Sequence, residues 1–296
     1  MLDGFYVIDK PVGVTSHDIV SRVRRAINQK KVGHTGTLDP FATGVLPVAV
    51  GEGTKAIQFL DESEKEYRAV LRLGIATDTQ DLTGQVLCER DWKGITPADL
   101  EALVPRFTGK LSQLPPMFSA LKQGGVPLYK LARQGKEVER EPREVEIFSL
   151  TFDWIRLPEA AFTVRCSRGT YVRTLACDIG EALGCGAHLL ELRRLKSGLF
   201  LEAEAITLEQ LQEAQDKAAL LLPLDRALDH LKSYELGEEA GRRIANGIAP
   251  QAQDLPPGAL DELRQDDEVR LYVAGRLAAV ARFDKVRGLR LARGFN

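Results

Sequence analysis

Gly33-His34-Thr35-Gly36-Thr37-Leu38-Asp39-Pro40-Phe41-Ala42-Thr43-Gly44 holds three glycines, one proline and three threonines in twelve positions. It shows neither the spacing of apolar residues that builds a helix nor the alternation that builds a strand, so it reads as a shaped loop. Its one acid, Asp39, is well placed to be exposed and rigidly held. A plain Asp-Pro turn, with Asp39 bonded to nearby backbone, is the competing reading. The loop lacks the GKS or GKT of a Walker A motif and the GxGxxG spacing of dinucleotide folds.

Working outward, Val45–Val50 is an apolar run that suits a buried strand. Upstream, Phe5–Asp9 reads as a strand that stops at the turn-like Lys10-Pro11-Val12-Gly13. Thr15 or Ser16 can cap a helix running to about Gln29, with Ile19, Val20, Val23 and Ile27 on one face. Downstream, 55–60 suits a short helix. Glu66–Leu73 alternates, placing Tyr67, Ala69, Leu71 and Leu73 on one side. Thr96 and Asp99 form a capping-box pattern for a helix to about Phe107. Residues 118–142 are rich in Gly, Lys and Arg and read as a mobile insertion after Pro115-Pro116. Strands are expected at 143–154 and 161–166, a helix from Thr170 to Leu183, and strand again at Arg193–Lys196. Residues 201–231 suggest short helices, and 269–273 and 277–283 alternate as strands. Strands and helices mix without a βαβ rhythm, which favours α+β over a doubly wound sheet. The expected division is a large domain over 1–232 and a small β-rich one over 233–296.

With 296 residues, 44% hydrophobic and 28% charged, the chain has the profile of a globular protein with a sizeable core. Net charge is only -2, but its distribution is uneven. Lys10–Lys31 holds six basic residues and one acid, 106–143 eight and three, and 270–293 seven and one, whereas 201–239 has ten acids and three bases. A basic face backed by an acidic one can bind a polyanion despite a near-neutral total; charges clustering on solvated helices would look the same. The four cysteines form no CxxC pair and no zinc-finger spacing. No stretch approaches the apolar length of a membrane span, and the N-terminus has no signal-like pattern. A cytoplasmic protein is expected.

GHTGTLDPFATGVLPV closely resembles the catalytic motif of the bacterial tRNA pseudouridine-55 synthases, the TruB family. DKPVGVTSHDIV, KEYRAVLRLGIATDTQDLTG, SRGTYVRTLACDIGEALG and LRRLKSG resemble further motifs of that family, in the same order. The resemblance spans nearly all of residues 4–230. It implies a pseudouridine-synthase-type catalytic domain with a central mixed sheet and a small PUA-like C-terminal domain, though the match beyond Ser233 is weak. By the same resemblance Asp39 is the nucleophile and Arg173 its guanidinium partner, keeping the carboxyl pKa low. Tyr67 stacks on the flipped base and takes part in proton removal, and Tyr171 lines the uridine pocket. Leu192 touches the uracil, and His34 fills space vacated by the nucleotide. Lys10 and Pro11 support the catalytic loop.

The implied reaction moves uracil from an N1–C1′ to a C5–C1′ bond, which needs no electron or group carrier, so neither cofactor nor metal is expected. A carboxylate suits such chemistry as nucleophile or as stabiliser of positive charge. The implied substrate is the TΨC stem-loop of tRNA, bound by a monomer without protein partner or guide RNA. Arg22, Arg24, Arg25, Lys30 and Lys31 form a candidate phosphate strip. Three other readings stand beside this one: a guide-dependent pseudouridine synthase, an RNA-binding module with a vestigial pocket, and a small-molecule enzyme with an acidic site.

Overall fold

Strand β1 (Gly4–Lys10) is buried on both faces, because two cores meet across it. Tyr6 and Ile8 enter one core, and Phe5 and Val7 enter the other. These observations come from a computed structural model, which describes residues 1–295. Helix α1 (Ser16–Ala26) starts at a complete capping box, in which Thr15 and Asp18 satisfy each other's backbone N–H. Such a cap is worth about 1 kcal/mol. The helix stops three residues short of the expected Gln29, since Asn28 adopts a left-handed conformation with φ 49°.

Strand β2 (Val32–His34) takes the first residues of the glycine-rich loop, and β3 (Thr43–Val50) takes the last. Leu46, Val48 and Val50 face the first core while Val45 and Ala49 face the second, which explains the unbroken apolar run. After α2 (Gly53–Ala56) comes β4 (Glu64–Leu73), whose alternation matches its half-buried position. A hairpin of β5 (Ile75–Thr77) and β6 (Val86–Glu89) follows, for which the sequence carried no strand expectation. Then come α3 (Pro97–Leu103) and β7 (Gly109–Gln113). The insertion folds as a hairpin, β8 (Lys122–Gln123) and β9 (Val126–Pro127), and a helical turn, α4 (Leu128–Ala132). Leu128 is buried, and Arg140 Nη1 donates to the Pro115 carbonyl at 2.9 Å, so the segment has an anchored form rather than being irregular throughout.

The remaining elements of the large sheet are β10 (Arg143–Arg156), β11 (Glu159–Ser167), α5 (Val172–Ala182), β12 (Ala187–Ser197) and β13 (Phe200–Leu201). Nine strands run in the order β1-β3-β12-β4-β11-β10-β7, with β2 on β3 and β13 on β12. The pairings are antiparallel except β3 with β12, which are parallel through Arg193–Thr43 and Arg194–Gly44. The sheet is therefore mixed, and the α+β expectation holds. Gly44 has φ +98°, and a Cβ there would lie 2.3 Å from the Arg194 carbonyl oxygen, so the loop can join the sheet only through glycine.

Helices α6 (Leu208–Glu213) and α7 (Leu224–Ala227) lead to a second sheet. Its strands are β14 (Lys232–Leu236), β15 (Glu268–Val273), β16 (Arg276–Asp284) and β17 (Gly288–Gly294), with α8 (Glu238–Ala245) after β14. Val280 of β16 packs into the same core as Phe5 and Val45, fixing this sheet against the back of the large one. No helix among the described residues is long and apolar enough to cross a membrane.

Candidate active site

The loop around Asp39 is fastened on both flanks to the segment after β1. Ser16 Oγ accepts from Leu38 N–H at 2.8 Å, and Gly13 N–H donates to the Pro40 carbonyl at 2.8 Å. Lys10 is fully buried, and its ammonium donates to the carbonyls of Pro11 (2.9 Å), Val14 (2.8 Å) and Pro40 (3.3 Å). Lys10 thus serves as a tie beside Asp39, and burial brings its pKa down to about 8.

Arg173 reaches Asp39 from the first turn of α5, with Nε 2.9 Å from Oδ2. The guanidinium is 3% exposed, and its other nitrogens donate to the carbonyls of Thr79 (2.6 Å) and Phe118 (2.7 Å). Asp81 Oδ2 lies 3.7 Å from Nη1 on the far side. Asp81 is itself buried, and its other oxygen accepts from Thr79 Oγ1, Thr83 N–H and Thr83 Oγ1. One guanidinium therefore bridges two carboxylates and two loops. The backbone that starts α5 is held by Gln113, whose amide accepts from Tyr171 N–H at 2.8 Å and donates to Tyr171 O at 3.1 Å.

Asp39 lies at the boundary of two connected openings. One cavity of about 220 Å³ is lined by Asp39, Tyr67, Tyr171, Arg173 and Leu192. The other, about 620 Å³, is bordered by Asp39, Arg173 and His34 and roofed by Phe118, Tyr129 and Arg133 of the insertion. The structure thus gathers Tyr67, Tyr171, Leu192 and the ion pair around one cavity, while His34 lines the other, which Asp39 and Arg173 also border. Tyr67 and Leu192 come from adjacent strands, facing the pocket through the β4–β12 register of Tyr67–Arg194 and Leu192–Ala69.

The direction in which the Asp39 pKa moves departs from the sequence expectation. The side chain borders the cavity and is 34% exposed, yet desolvation by the surrounding cleft raises its pKa. Arg173 and Lys10 oppose that rise, and Asp81 adds to it. Guanidinium pairing alone had suggested a low value; burial outweighs it here. Burial, assisted by Arg194, lowers the pKa of His34, whose Nδ1 is enclosed without a hydrogen-bond partner among the described residues. Burial also raises the phenols of Tyr67 and Tyr171.

Three contributors had no individual role in the sequence reading: Asp81 and Arg194, which lie within resembling motifs, and Gln113, which lies in none. Arg194 is fully buried, with Nε donating to Val45 O at 2.7 Å and Nη2 to Gly36 O at 3.3 Å, so it braces the loop from beneath. The basic strip after β1 is shorter than the sequence suggests. Arg24 donates to the Val32 carbonyl at 2.8 Å, and Lys31 pairs with Glu52 at 2.8 Å. Lys10 faces inward, leaving Arg22, Arg25 and Lys30 as the cations of this stretch not held by an internal partner among the described residues. Among the described residues no group of three or more His, Cys, Asp or Glu side chains is arranged to hold a metal ion.

Residues 24–172 match the TruB family pseudouridylate synthase N-terminal domain, and residues 173–229 match the tRNA pseudouridylate synthase B C-terminal domain. The chain is 57% identical to tRNA pseudouridine synthase B of Geotalea uraniireducens, over all of this chain and 98% of that protein. It is 58% identical to the protein of the same name from Geobacter sulfurreducens, over the full length of both. Its fold is similar to that in the crystal structure of the archaeal box H/ACA sRNP Nop10-Cbf5 complex, with TM-score 0.73, 25% identity, and coverage of 99% of this chain and 86% of that one.

Proposed function

This chain belongs to the TruB family of pseudouridylate synthases, and from that premise we propose that it converts uridine 55 of the tRNA TΨC loop to pseudouridine, with Asp39 as the acting carboxylate. The observation that carries the reading is the Asp39–Arg173 pair, 2.9 Å apart, at the edge of a cavity shared with Tyr67, Tyr171 and Leu192.

A uridine within folded RNA reaches such a cavity only by leaving its stack, at a cost of a few kcal/mol. Tyr67 and Leu192 offer apolar faces to the everted base, and stacking on an aromatic contributes roughly 1–3 kcal/mol. Tyr171, held through its backbone by Gln113, closes the other side of the pocket. Asp39 acts in ionised form, whether it bonds to C1′, bonds to C6 or assists formation of a glycal. Arg173 holds that carboxylate in place and opposes the desolvation that would protonate it. The N1–C1′ bond breaks, the uracil turns within the cavity, C5 bonds to C1′, the C5 proton leaves to water, and N1 takes up a proton. His34, kept neutral by burial where it lines the larger cavity, fills space beside the displaced nucleotide.

Residues 1–232 are assigned to catalysis and 233–296 to a PUA-like RNA-binding domain, whose arginines at 276, 287, 290 and 293 suit the acceptor end of tRNA. We further assign the activity to a cytoplasmic monomer acting without guide RNA. The full-length similarity to proteins named tRNA pseudouridine synthase B supports this. The test is to map the modified position after incubating purified protein alone with an unmodified tRNA transcript. Pseudouridine at position 55 is expected, with Asp39→Ala inactive yet binding tRNA near the wild-type affinity. Ordinary turnover by Asp39→Ala would remove Asp39 from the chemistry, and a requirement for added RNA would favour the guided type.

A further inference from the structure

Two residues before Tyr67, on the same face of β4, stands Lys65. It is 9% exposed and lines the cavity that holds Asp39, Tyr67 and Leu192. Its ammonium lies directly under the loop, since a Cβ added to Gly36 would be 3.0 Å from Nζ. The Lys65 ammonium makes no hydrogen bond or ion pair with any described residue. Buried lysines are ordinarily paired, because taking an ammonium out of water costs several kcal/mol.

The charged and titratable groups around it do not supply that partner. Arg194 on β12 and Arg168 after β11 repel it, and Cys166 on β11 is a thiol kept protonated by burial. Glu62, ahead of β4, attracts Lys65 but forms no ion pair with it. Its own salt bridge is with Arg168 at 4.0 Å, and its Oε1 has no hydrogen-bond partner. Burial, with Arg194 adding to it, brings Lys65 down to about 8, so most of it is still charged at neutral pH. Lys65 is thus an unpaired cation facing the cavity that also holds Asp39 and Tyr67. Such a charge disfavours the empty site and favours any species that brings negative charge to it.

We propose that Lys65 is a further catalytic residue of this pocket, whose ammonium stabilises the negative charge that the everted uracil acquires as the N1–C1′ bond breaks. The electron pair of that bond passes into the ring and spreads to its carbonyl oxygens, where Lys65 donates a hydrogen bond. Bonding of C5 to C1′ neutralises the ring, loss of the C5 proton to water makes it an anion once more, and uptake of a proton at N1 restores neutrality and frees the ammonium. No further reagent enters.

This inference rests on the uridine-isomerising function proposed above, and the experiment separates the two. Single-turnover rates and tRNA affinities are measured for the full chain and for Lys65→Met, Lys65→Gln, Lys65→Arg and Asp39→Ala. Two transcripts are used, one with uridine and one with 5-fluorouridine at the target position. Lys65→Met is expected to slow cleavage of the uridine substrate about 100-fold while tRNA affinity stays within twofold, and Lys65→Arg to restore most of the rate. Fluorine makes the departing pyrimidine a more stable anion, so the loss on 5-fluorouridine is expected to shrink to about tenfold. Lys65→Gln, which keeps a polar group in the pocket, guards against a folding defect in the methionine variant and is read alongside thermal melting. A neutral variant as fast as wild type, beside an inactive Asp39→Ala, overturns this inference alone. So does an equal loss on both substrates, or a loss confined to affinity. A wild type that leaves the tRNA unmodified overturns the functional reading and this inference with it.

Discussion

Arg173 Nε stands 2.9 Å from Asp39 Oδ2, and the same guanidinium fixes Thr79 and Phe118 through their carbonyls. The pair therefore sets both the position and the protonation of the carboxylate. Desolvation raises the Asp39 pKa and Arg173 opposes it. Since the ionised form is active, activity is present above that raised pKa and lost as pH falls through it. The acid limb of the single-turnover rate should lie above the usual carboxylate range. Arg173→Met should move that limb to still higher pH and lower the neutral rate by about 100-fold or more. Arg173→Lys keeps the charge but cannot span both carbonyls, so it should fall between. A pH–rate profile of the three proteins decides this; coincident limbs would show that Arg173 does not tune Asp39.

Lys10 ties the Pro40 carbonyl to those of Pro11 and Val14. Lys10→Met would remove a donor from three carbonyls; Pro40 keeps its bond from Gly13 N–H, while the carbonyls of Pro11 and Val14 lose theirs, and an acceptor left unmet away from water costs about 1–3 kcal/mol. Loosening the residue next to Asp39 should reduce the single-turnover rate by about 10–100-fold, because a small misplacement of a reacting group slows the reaction steeply. Affinity for tRNA should change little, as Lys10 is fully buried. A variant that binds weakly but reacts at the normal rate would place Lys10 in substrate binding instead.

Local patterns were the legible part of this sequence. The alternation of β4, the capping box of α1 and the glycine-rich loop each occupy a few neighbouring residues, and each folds nearly where its pattern lies. Asp39 and its candidate partners were legible through motif resemblance. The supporting residues were not, because their roles depend on contacts between segments far apart in the chain. Arg194 looks like an ordinary strand arginine until β12 pairs in parallel with β3, which buries it under the loop. Asp81 carries no local sign that Arg173 will arrive from α5. The β5–β6 hairpin leaves no local sign because its second strand, Val86-Leu87-Cys88-Glu89, is mostly exposed and its apolar residues run together instead of alternating.

Charge counting also failed to distinguish cations already engaged from those without an internal partner among the described residues. Arg24 is held by the Val32 carbonyl and Lys31 by Glu52. Arg22 and Arg25 border an open surface hollow with Gln212. The double reversal Arg22→Glu, Arg25→Glu should therefore weaken tRNA binding by tenfold or more. It should reduce the slope of log affinity against log salt by about one for each phosphate that is no longer neutralised. Reversal at Arg24 and Lys31 should lower the melting temperature instead, by breaking their internal bonds. Salt titrations of both double variants test the assignment. An unchanged slope for Arg22 and Arg25 would turn that face to solvent.

The entry of the loop into the sheet is the least tolerant point of the site. Gly44 has φ +98°, and any side chain there would meet the Arg194 backbone, with the carbonyl oxygen at 2.3 Å from the new Cβ. Gly44→Ala thus combines an unfavourable backbone conformation with a collision that no side-chain rotation relieves. Each effect costs about 1–3 kcal/mol, so a loss near 3 kcal/mol is expected in urea unfolding. The parallel β3–β12 pairing would part first, and with it the Arg194 brace under Gly36. Activity should consequently fall more steeply than stability, since the loop bearing Asp39 loses one of its supports before the core opens. Gly13→Ala is the control: Gly13 is also left-handed, at φ +85°, but nothing lies within 4 Å of its added Cβ. It should show only the conformational part of the loss, about 1–2 kcal/mol. Equal destabilisation by the two substitutions would mean that the close approach to Arg194 does not constrain the site.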